Sequence, residues 1–361
     1  MSGSSLREPA CQAPSPTISL ASRPLNRSPH VTIRVAITGI SGDVGLGAIN
    51  GLRAAQNQRD DIWILGIDAA DDCPARHMVD AFAKLPLVAS PHYLDSLVSQ
   101  LHANSIDVLL PGIDSEIILL SRERKRFETA GAKVALAPAD LIEAADDKLA
   151  TAAFVAARGL NAPPTCDAAV PQELGFPLIA KPRRGQGSKG IVVLSDRRDL
   201  DAFTAERRPD YCLQRYVEGP EITIGFLYDW NGILRDAIAM ERTLENGRTI
   251  RATAVRSAEI LRFIEDFGTA IKGAGAVNAQ LRLHPELGPQ IFEINARLSG
   301  STAMRVAIGF NDPLRIVRHL AQGVPMDRAT IYDATVYRTS TELVVKRATI
   351  EGTSPYWKDS V

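Results

Sequence analysis

The sequence predicts an α/β protein in which a doubly wound parallel sheet is followed by antiparallel sheets with an α+β character. Three observations carry this. From Val31 onward, short apolar runs with strand character alternate with helical runs, the pattern of a parallel sheet with crossover helices. Further along, "FPLIAKP", "IVVL" and "YCLQRYVEG" read as an antiparallel sheet, and two long hairpins follow. Finally, 361 residues are too many for one small core and call for two or three lobes.

Composition narrows the function classes. Charged residues make up 23% and hydrophobic residues 45%, which is ordinary for a soluble globular chain. A net charge of −1 gives no bulk attraction to nucleic acid or to membrane surfaces. No apolar run reaches the roughly 20 residues of a spanning helix. The four cysteines, Cys11, Cys73, Cys166 and Cys212, form no C-x-x-C pair and no zinc spacing. A reduced, cytoplasmic protein is the expectation.

Residues 1–30 are rich in Ser and Pro, with Glu8 the one acid, and are expected to be a disordered leader. A transit peptide has a related composition, but the prolines interrupt any amphipathic helix. The first lobe spans 31–145. "VTIRVAITGI" is a buried strand, "GISGDVG" a glycine turn, "LGAINGLRAAQ" a helix and "DIWILGID" a second strand. "IDVLLPGID" is a strand ending at Pro111, "IILLSRERKRFETAG" one charged amphipathic helix closed by Gly131, and "AKVALA" a short strand. A smaller lobe, 146–216, opens with the helix "DDKLATAAFVAARG" and carries the antiparallel strands around the loop "RRGQGSKG". The last lobe, 217–361, holds a hairpin about Asn231-Gly232, a helix through Phe263, and the hairpin "AVNAQLRLHPELGPQIFEIN". "ATVYRTSTELVVKR" alternates like a strand, and the chain after Gly352 is expected to be loose.

Four clusters could carry chemistry. Gly39, Gly42, Gly45 and Gly47, with Asp68 ending the next strand, resemble a dinucleotide fingerprint. Any tight strand-to-helix turn also favours glycine, and no Tyr-x-x-x-Lys pair accompanies them. Lys181 closes a buried strand directly before Gly185, Gly187, Ser188 and Gly190. That arrangement suits a phosphate clamp, lysine giving charge and the loop giving N–H donors. It equally suits a hairpin loop kept soluble by Arg183, Arg184 and Lys189. Gln214, the backbone at Tyr216 and Val217, and Glu221 could read a base and a ribose, or mark a hinge. Glu293 and Asn295, two apart on a strand, share a face, and the hairpin brings Gln280 level with Glu293. Oxygen ligands so placed suit a hard cation, whereas Asn, Ser and Gly also simply end strands. The six histidines are scattered and read as structural or solvated.

In their order, these stretches resemble the ATP-grasp superfamily: Asp147-Lys148, Lys181-Pro182 with its loop, Gln214 to Glu221, Gln280, and Glu293-x-Asn295-x-Arg297. The resemblance runs over 145–312, and the first lobe looks like the domain that precedes such a core. The nearest flavour is the carbamoyl-phosphate-synthase-like, single-module carboxylate–amine ligase. The resemblance implies ATP held between two antiparallel lobes. Lys148 and Lys181 would meet the α- and β-phosphates, and Arg184, Gly187, Ser188 and Gly190 would fold over them. Tyr216 and Val217 would pair with adenine, helped by Gln214, and Glu221 would hold the ribose. Gln280, Glu293 and Asn295 would bind two Mg²⁺, with Mn²⁺ as a substitute, and Arg297 would steady the γ-phosphoryl group. Gln280 stands where ligase branches often place a carboxylate. Arg251, chosen over Arg242 and Arg256 as starting a strand after Asn246-Gly247, would contact the acceptor. Asp114 and Glu116 would face Arg251 and residues 299–302, or else be a solvated helix cap.

The activity so implied is ATP-dependent ligation of a carboxylate, activated as an acyl phosphate, to an amine. An amino acid on one side of the bond and a homodimer are the expectation. Alternatives are a carbamoyl-phosphate-type or carboxylate-phosphorylating enzyme, an NAD(P)-linked nucleotide-sugar dehydrogenase or epimerase, and a non-catalytic ATP-binding regulator.

Overall fold

The computed structural model describes residues 32–54, 62–185, 187, 189–203, 210–340 and 343. The expected leader, Ser188, and the tail beyond 343 lie outside the described residues.

The first lobe is a five-stranded parallel sheet, β1 (Ile33–Thr38), β2 (Ile62–Asp68), β3 (Ala81–Lys84), β4 (Val108–Leu110) and β5 (Lys133–Val134), in the order β3-β2-β1-β4-β5. β1 and β4 are buried almost throughout, as strands covered on both faces must be. The strand order reverses between β1 and β4, which opens a crevice at their C-terminal ends. Helix α1 (Asp43–Arg53) starts inside the glycine turn, three residues before the position the sequence suggests. Strand β3 and helix α2 (Tyr93–Ala103) were not anticipated. The single charged helix is two: α3 (Asp114–Arg122) and α4 (Arg124–Thr129). Glu123 leaves the helical region at φ −109, ψ 22, and the kink turns Phe127 fully into the core.

α5 (Ala139–Asp146) and α6 (Lys148–Ala156) meet at Asp147, whose side chain accepts from the Leu149 N–H and caps α6. The smaller lobe is the four-stranded sheet β6 (Thr165–Asp167), β7 (Leu178–Pro182), β8 (Val192–Leu194) and β9 (Tyr211–Arg215), with α7 (Arg197–Ala202). Its order is β6-β9-β7-β8, antiparallel as expected, over a small core of Cys166, Leu178, Ala180, Leu194 and Leu213.

The last lobe is a six-stranded sheet in the order β14-β13-β10-β11-β12-β15. Its strands are β10 (Glu221–Tyr228), β11 (Leu234–Glu245), β12 (Arg248–Ala254), β13 (Gly275–His284), β14 (Gly288–Asn295) and β15 (Thr335–Tyr337). Helices α8 (Ala258–Ala270), α9 (Thr302–Ala307) and α10 (Asp312–Gln322) accompany it. Of the expected strand 334–347, residues 335–337 form β15, and residues 338–340 are described but not strand. One sheet face buries Ile222, Ile224, Phe226, Ala279, Leu281 and Ile294. That core continues into Phe127 and Leu141 of the first lobe, so the boundary near 145 cuts through shared packing. The other face carries the polar residues of the site.

Candidate active site

The site begins with a strand register. β13 and β14 pair Gln280 with Glu293 and Asn278 with Asn295, so Gln280, Glu293 and Asn295 emerge together on one face. The Asn295 amide donates to Glu293 Oε1 at 2.9 Å, and the Gln280 amide donates to Asn295 Oδ1 at 3.4 Å. Arg242, from β11, donates to Gln280 Oε1 at 2.6 Å and to Glu221 Oε1 through its Nε at 2.8 Å. Arg282 grips the other Glu221 oxygen at 2.8 Å. A buried carboxylate is thus held between two guanidinium groups, the arrangement that makes burial of charge tolerable. The oxygens of Glu293, Gln280 and Asn295 form a donor set suited to a hard divalent cation, with one formal charge and room for anionic oxygens from a ligand. Behind them, fully buried Arg305 pairs with Asp312 at 2.7 Å and donates to Asn278 at 3.3 Å.

The opposite wall comes from the smaller lobe. Lys181, at the end of β7, is buried, donating to Gln214 Oε1 at 2.8 Å and to the Phe292 carbonyl at 3.3 Å. Burial pulls its ammonium down to about 8, against the opposing pull of Glu293. Gln214 in turn donates to Thr165 Oγ1 at 2.7 Å. Lys148, the first residue of α6, donates to the Gly185 carbonyl at 2.9 Å. Arg184 reaches Asp146 at 2.8 Å. Arg183, beside it, grips Asp147, and this pairing holds that carboxyl below its usual range despite the upward push of burial.

Gly185 (φ 116) and Gly187 (φ 70) adopt backbone that other residues resist. The tip of the loop rests on the β11–β12 turn, where a Cβ on Gly247 would overlap the Gly187 carbonyl. Together the two walls enclose a cleft of about 350 Å³, with Ile179, Val193 and Phe292 among its apolar linings. Lys148, Arg184, Gly185 and Glu293 also line an adjoining cavity of about 440 Å³, which runs to Asp114 and Asn295. Arg297 stands near its end, held by Asp114 of α3 through two bonds of 2.5 and 2.7 Å.

Residues 207–342 match the family model described as ATP-grasp in the biosynthetic pathway with Ter operon, and residues 49–135 match the PylC-like, N-terminal domain. The C-terminal third is thus similar to ATP-grasp proteins. Solved structures with the same fold include N5-carboxyaminoimidazole synthetase from Staphylococcus aureus complexed with ADP. That match has a TM-score of 0.65 at 16% identity, covering 84% of this chain and 81% of that one. L-amino acid ligase from Bacillus licheniformis matches with TM-score 0.62 at 17% identity, covering 80% and 74%. Biotin carboxylase from Campylobacter jejuni, solved as a β-γ-ATP complex, matches with TM-score 0.62 at 16% identity, covering 83% and 74%. Comparison with the curated proteins finds no significant match.

Lys148, Lys181, Arg184, Gly187, Gln214, Tyr216, Val217, Glu221, Gln280 and Glu293 all line the same cavity. Asn295 lines the adjoining one. Gly190 sits at the loop's end, where a Cβ would press on the Tyr211 hydroxyl at 3.0 Å.

Several placements differ from the sequence reading. Arg251 is not brought to the cleft: β12 begins at Arg248, and Arg251 pairs with Thr243 while its neighbour Ala252 pairs with Arg242. Alternation therefore turns Arg251 to the opposite face from Arg242. The Tyr216 N–H is already used, donating to the Pro177 carbonyl at 3.0 Å. Ser299, Ser301 and Thr302 are buried, with the two serine hydroxyls 2.8 Å apart and Thr302 close against Gly47 of α1. Glu116 is neither a solvated cap nor a cleft residue: it is fully buried in the first lobe.

Two of the first-lobe glycines serve packing. Gly45 and Gly47 lie inside α1, and a Cβ on Gly45 would sit 2.5 Å from the Gly39 carbonyl. Asp68 accepts from the Ser41 and Ala70 N–H groups at 2.9 and 3.0 Å. Arg282 was missed, although its period-two spacing from Gln280 was a usable signal.

Proposed function

We propose that the protein is an ATP-dependent carboxylate–amine ligase that activates a small-molecule carboxylate as an acyl phosphate and joins it to an amine, releasing ADP and phosphate. The observation that carries this is the register setting Gln280, Glu293 and Asn295 opposite Lys181 and the glycine loop, in a cleft that continues into a second cavity. ADP and β-γ-ATP in the similar structures support a nucleotide in that cleft.

In this reading Lys148 and Lys181 neutralise the α- and β-phosphates, and residues 184–190 close over them. Tyr216 and Val217 offer backbone groups to adenine, and Glu221 takes the ribose hydroxyls while Arg242 and Arg282 fix its position. Gln280, Glu293 and Asn295 would hold Mg²⁺, or Mn²⁺ in its place, which would supply charge neutralisation for the transferring phosphoryl group. Arg297, preset by Asp114, presents a fixed cation to the phosphoryl oxygens.

A carboxylate oxygen attacks the γ-phosphorus, and the bond to ADP breaks with its electron pair on ADP. The amine nitrogen then attacks the acyl carbon. The C–N bond forms, phosphate leaves with the pair of the broken C–O bond, and the nitrogen loses a proton. Closure of the loop keeps water from the acyl phosphate.

The test is ADP release from Mg²⁺-ATP across a panel of amino acids and other carboxylates, each with and without an amine. Release that needs both partners, and falls at least a hundredfold in Glu293→Ala, is expected. Release with carboxylate alone would show an enzyme that stops at phosphorylation. Absence of ATP binding by calorimetry would refute the reading.

A further inference from the structure

The crevice at the C-terminal ends of β1, β2 and β4 encloses about 480 Å³ and has no part in the nucleotide cleft. It lies where the strand order reverses, the place where open α/β sheets bind ligands. It is also connected to the chemistry. Ile113 and Ser115 line both this crevice and the cavity that runs to Glu293 and Asn295. The three cavities therefore adjoin in series, each sharing lining residues with the next.

The crevice differs sharply from the cleft in charge. The cleft is lined by Lys148, Lys181, Arg184, Lys189, Arg242 and Arg282 among other residues. The described residues lining the crevice include no Lys or Arg, and Asp68 is the one that carries a formal charge. Leu85, Leu87, Val88 and Ile113 supply an apolar wall. Tyr93 forms part of the lining, and its hydroxyl donates to buried Glu116 at 2.6 Å. Asp68 already accepts two backbone N–H bonds, and a carboxylate has acceptor sites to spare. A phosphate here would be buried without a cation, which is costly. An ammonium on an apolar body would meet a carboxylate and greasy walls.

Resting on the ligase reading, we propose that this crevice binds the amine substrate, and that this substrate is an apolar, non-phosphorylated amine whose cationic form Asp68 attracts into it. The proposal concerns the class of acceptor and leaves the nucleotide site unchanged.

Calorimetry on the full chain, saturated with ADP and Mg²⁺, tests it. The probes are phenethylamine, isopentylamine and L-leucinamide, against phosphoethanolamine and O-phosphoserine. The apolar amines are expected to bind, and the phosphorylated ones to bind at least tenfold more weakly. Asp68→Asn should weaken the apolar amines about tenfold with ADP affinity unchanged. Because that change also touches two backbone bonds, Leu87→Lys is a second variant. Leu87 is 71% exposed at the rim, so the fold tolerates it, and the added cation should repel the amines severalfold. Tighter binding of the phosphorylated probes, or no amine binding by a protein that binds ADP normally, would overturn the proposal. Loss of ADP binding itself would instead refute the ligase reading beneath it.

Discussion

Glu116 in the first lobe and Glu221 in the last are both buried carboxylates, and their surroundings are opposite. Glu221 lies between Arg242 and Arg282. Glu116 receives only hydroxyl donors from side chains, Thr38 Oγ1 at 2.5 Å and Tyr93 at 2.6 Å. Burial there pushes its carboxyl up from 4.5 to about 7, with the two hydroxyls pulling the other way. The contrast teaches where each region expects charge. The cleft between the antiparallel sheets is crowded with cations, even around its own acid, as a polyanion site must be. The parallel-sheet end carries acids and no lining cation among the described residues. A polyanionic nucleotide belongs in the first and a positively charged partner in the second.

The comparison can be broken most forcefully at Arg242. Arg242→Met strips one of two cations from a carboxylate that is 9% exposed. With Arg282 still in place, it should cost about 1.5–3 kcal/mol of stability, read as a lower midpoint in urea unfolding, and the double variant with Glu221→Gln should recover most of it. A stability change under about 1 kcal/mol would show that the pair is not held in the buried, mutually dependent way described.

Glu116→Gln sharpens the other side. With a folded pKa raised above the unfolded one, the native state binds the proton more tightly than the unfolded chain. Wild-type stability therefore falls as pH rises from about 4.5 through about 7 and then levels. Glutamine cannot lose that proton. Relative to wild type, the variant should gain stability across this window, reaching on the order of 3 kcal/mol by pH 8. Parallel unfolding curves at pH 5 and pH 8 measure it, and an equal difference at both would contradict the raised pKa.

Much of the cleft was legible in the sequence because it is built on local periodicity. Glu293 and Asn295 share a face by spacing alone, the hairpin fixes Gln280 across from them, and Lys181 stands at the end of an apolar run. The misplaced residues depend on pairing that spacing does not show. Arg251 and Arg242 were exchanged because the start of β12 sets which residues face the cleft, and that start lies three residues earlier. Glu116, two residues after Asp114, looks like a solvated helix start. It is buried by Tyr93, on a helix whose periodicity went unread, and by Thr38 at the end of the neighbouring strand β1. The break at Glu123 likewise follows from Phe127 docking in the core rather than from any breaker residue.

The central claim, that a carboxylate oxygen takes the phosphoryl group, is tested most directly by isotope transfer. The protein is incubated with Mg²⁺-ATP, carboxylate-¹⁸O-labelled amino acids and the amine panel, and the released phosphate is analysed by mass spectrometry. The account predicts phosphate carrying one ¹⁸O from the carboxylate, formed together with the amide. Unlabelled phosphate accompanying amide formation would contradict it.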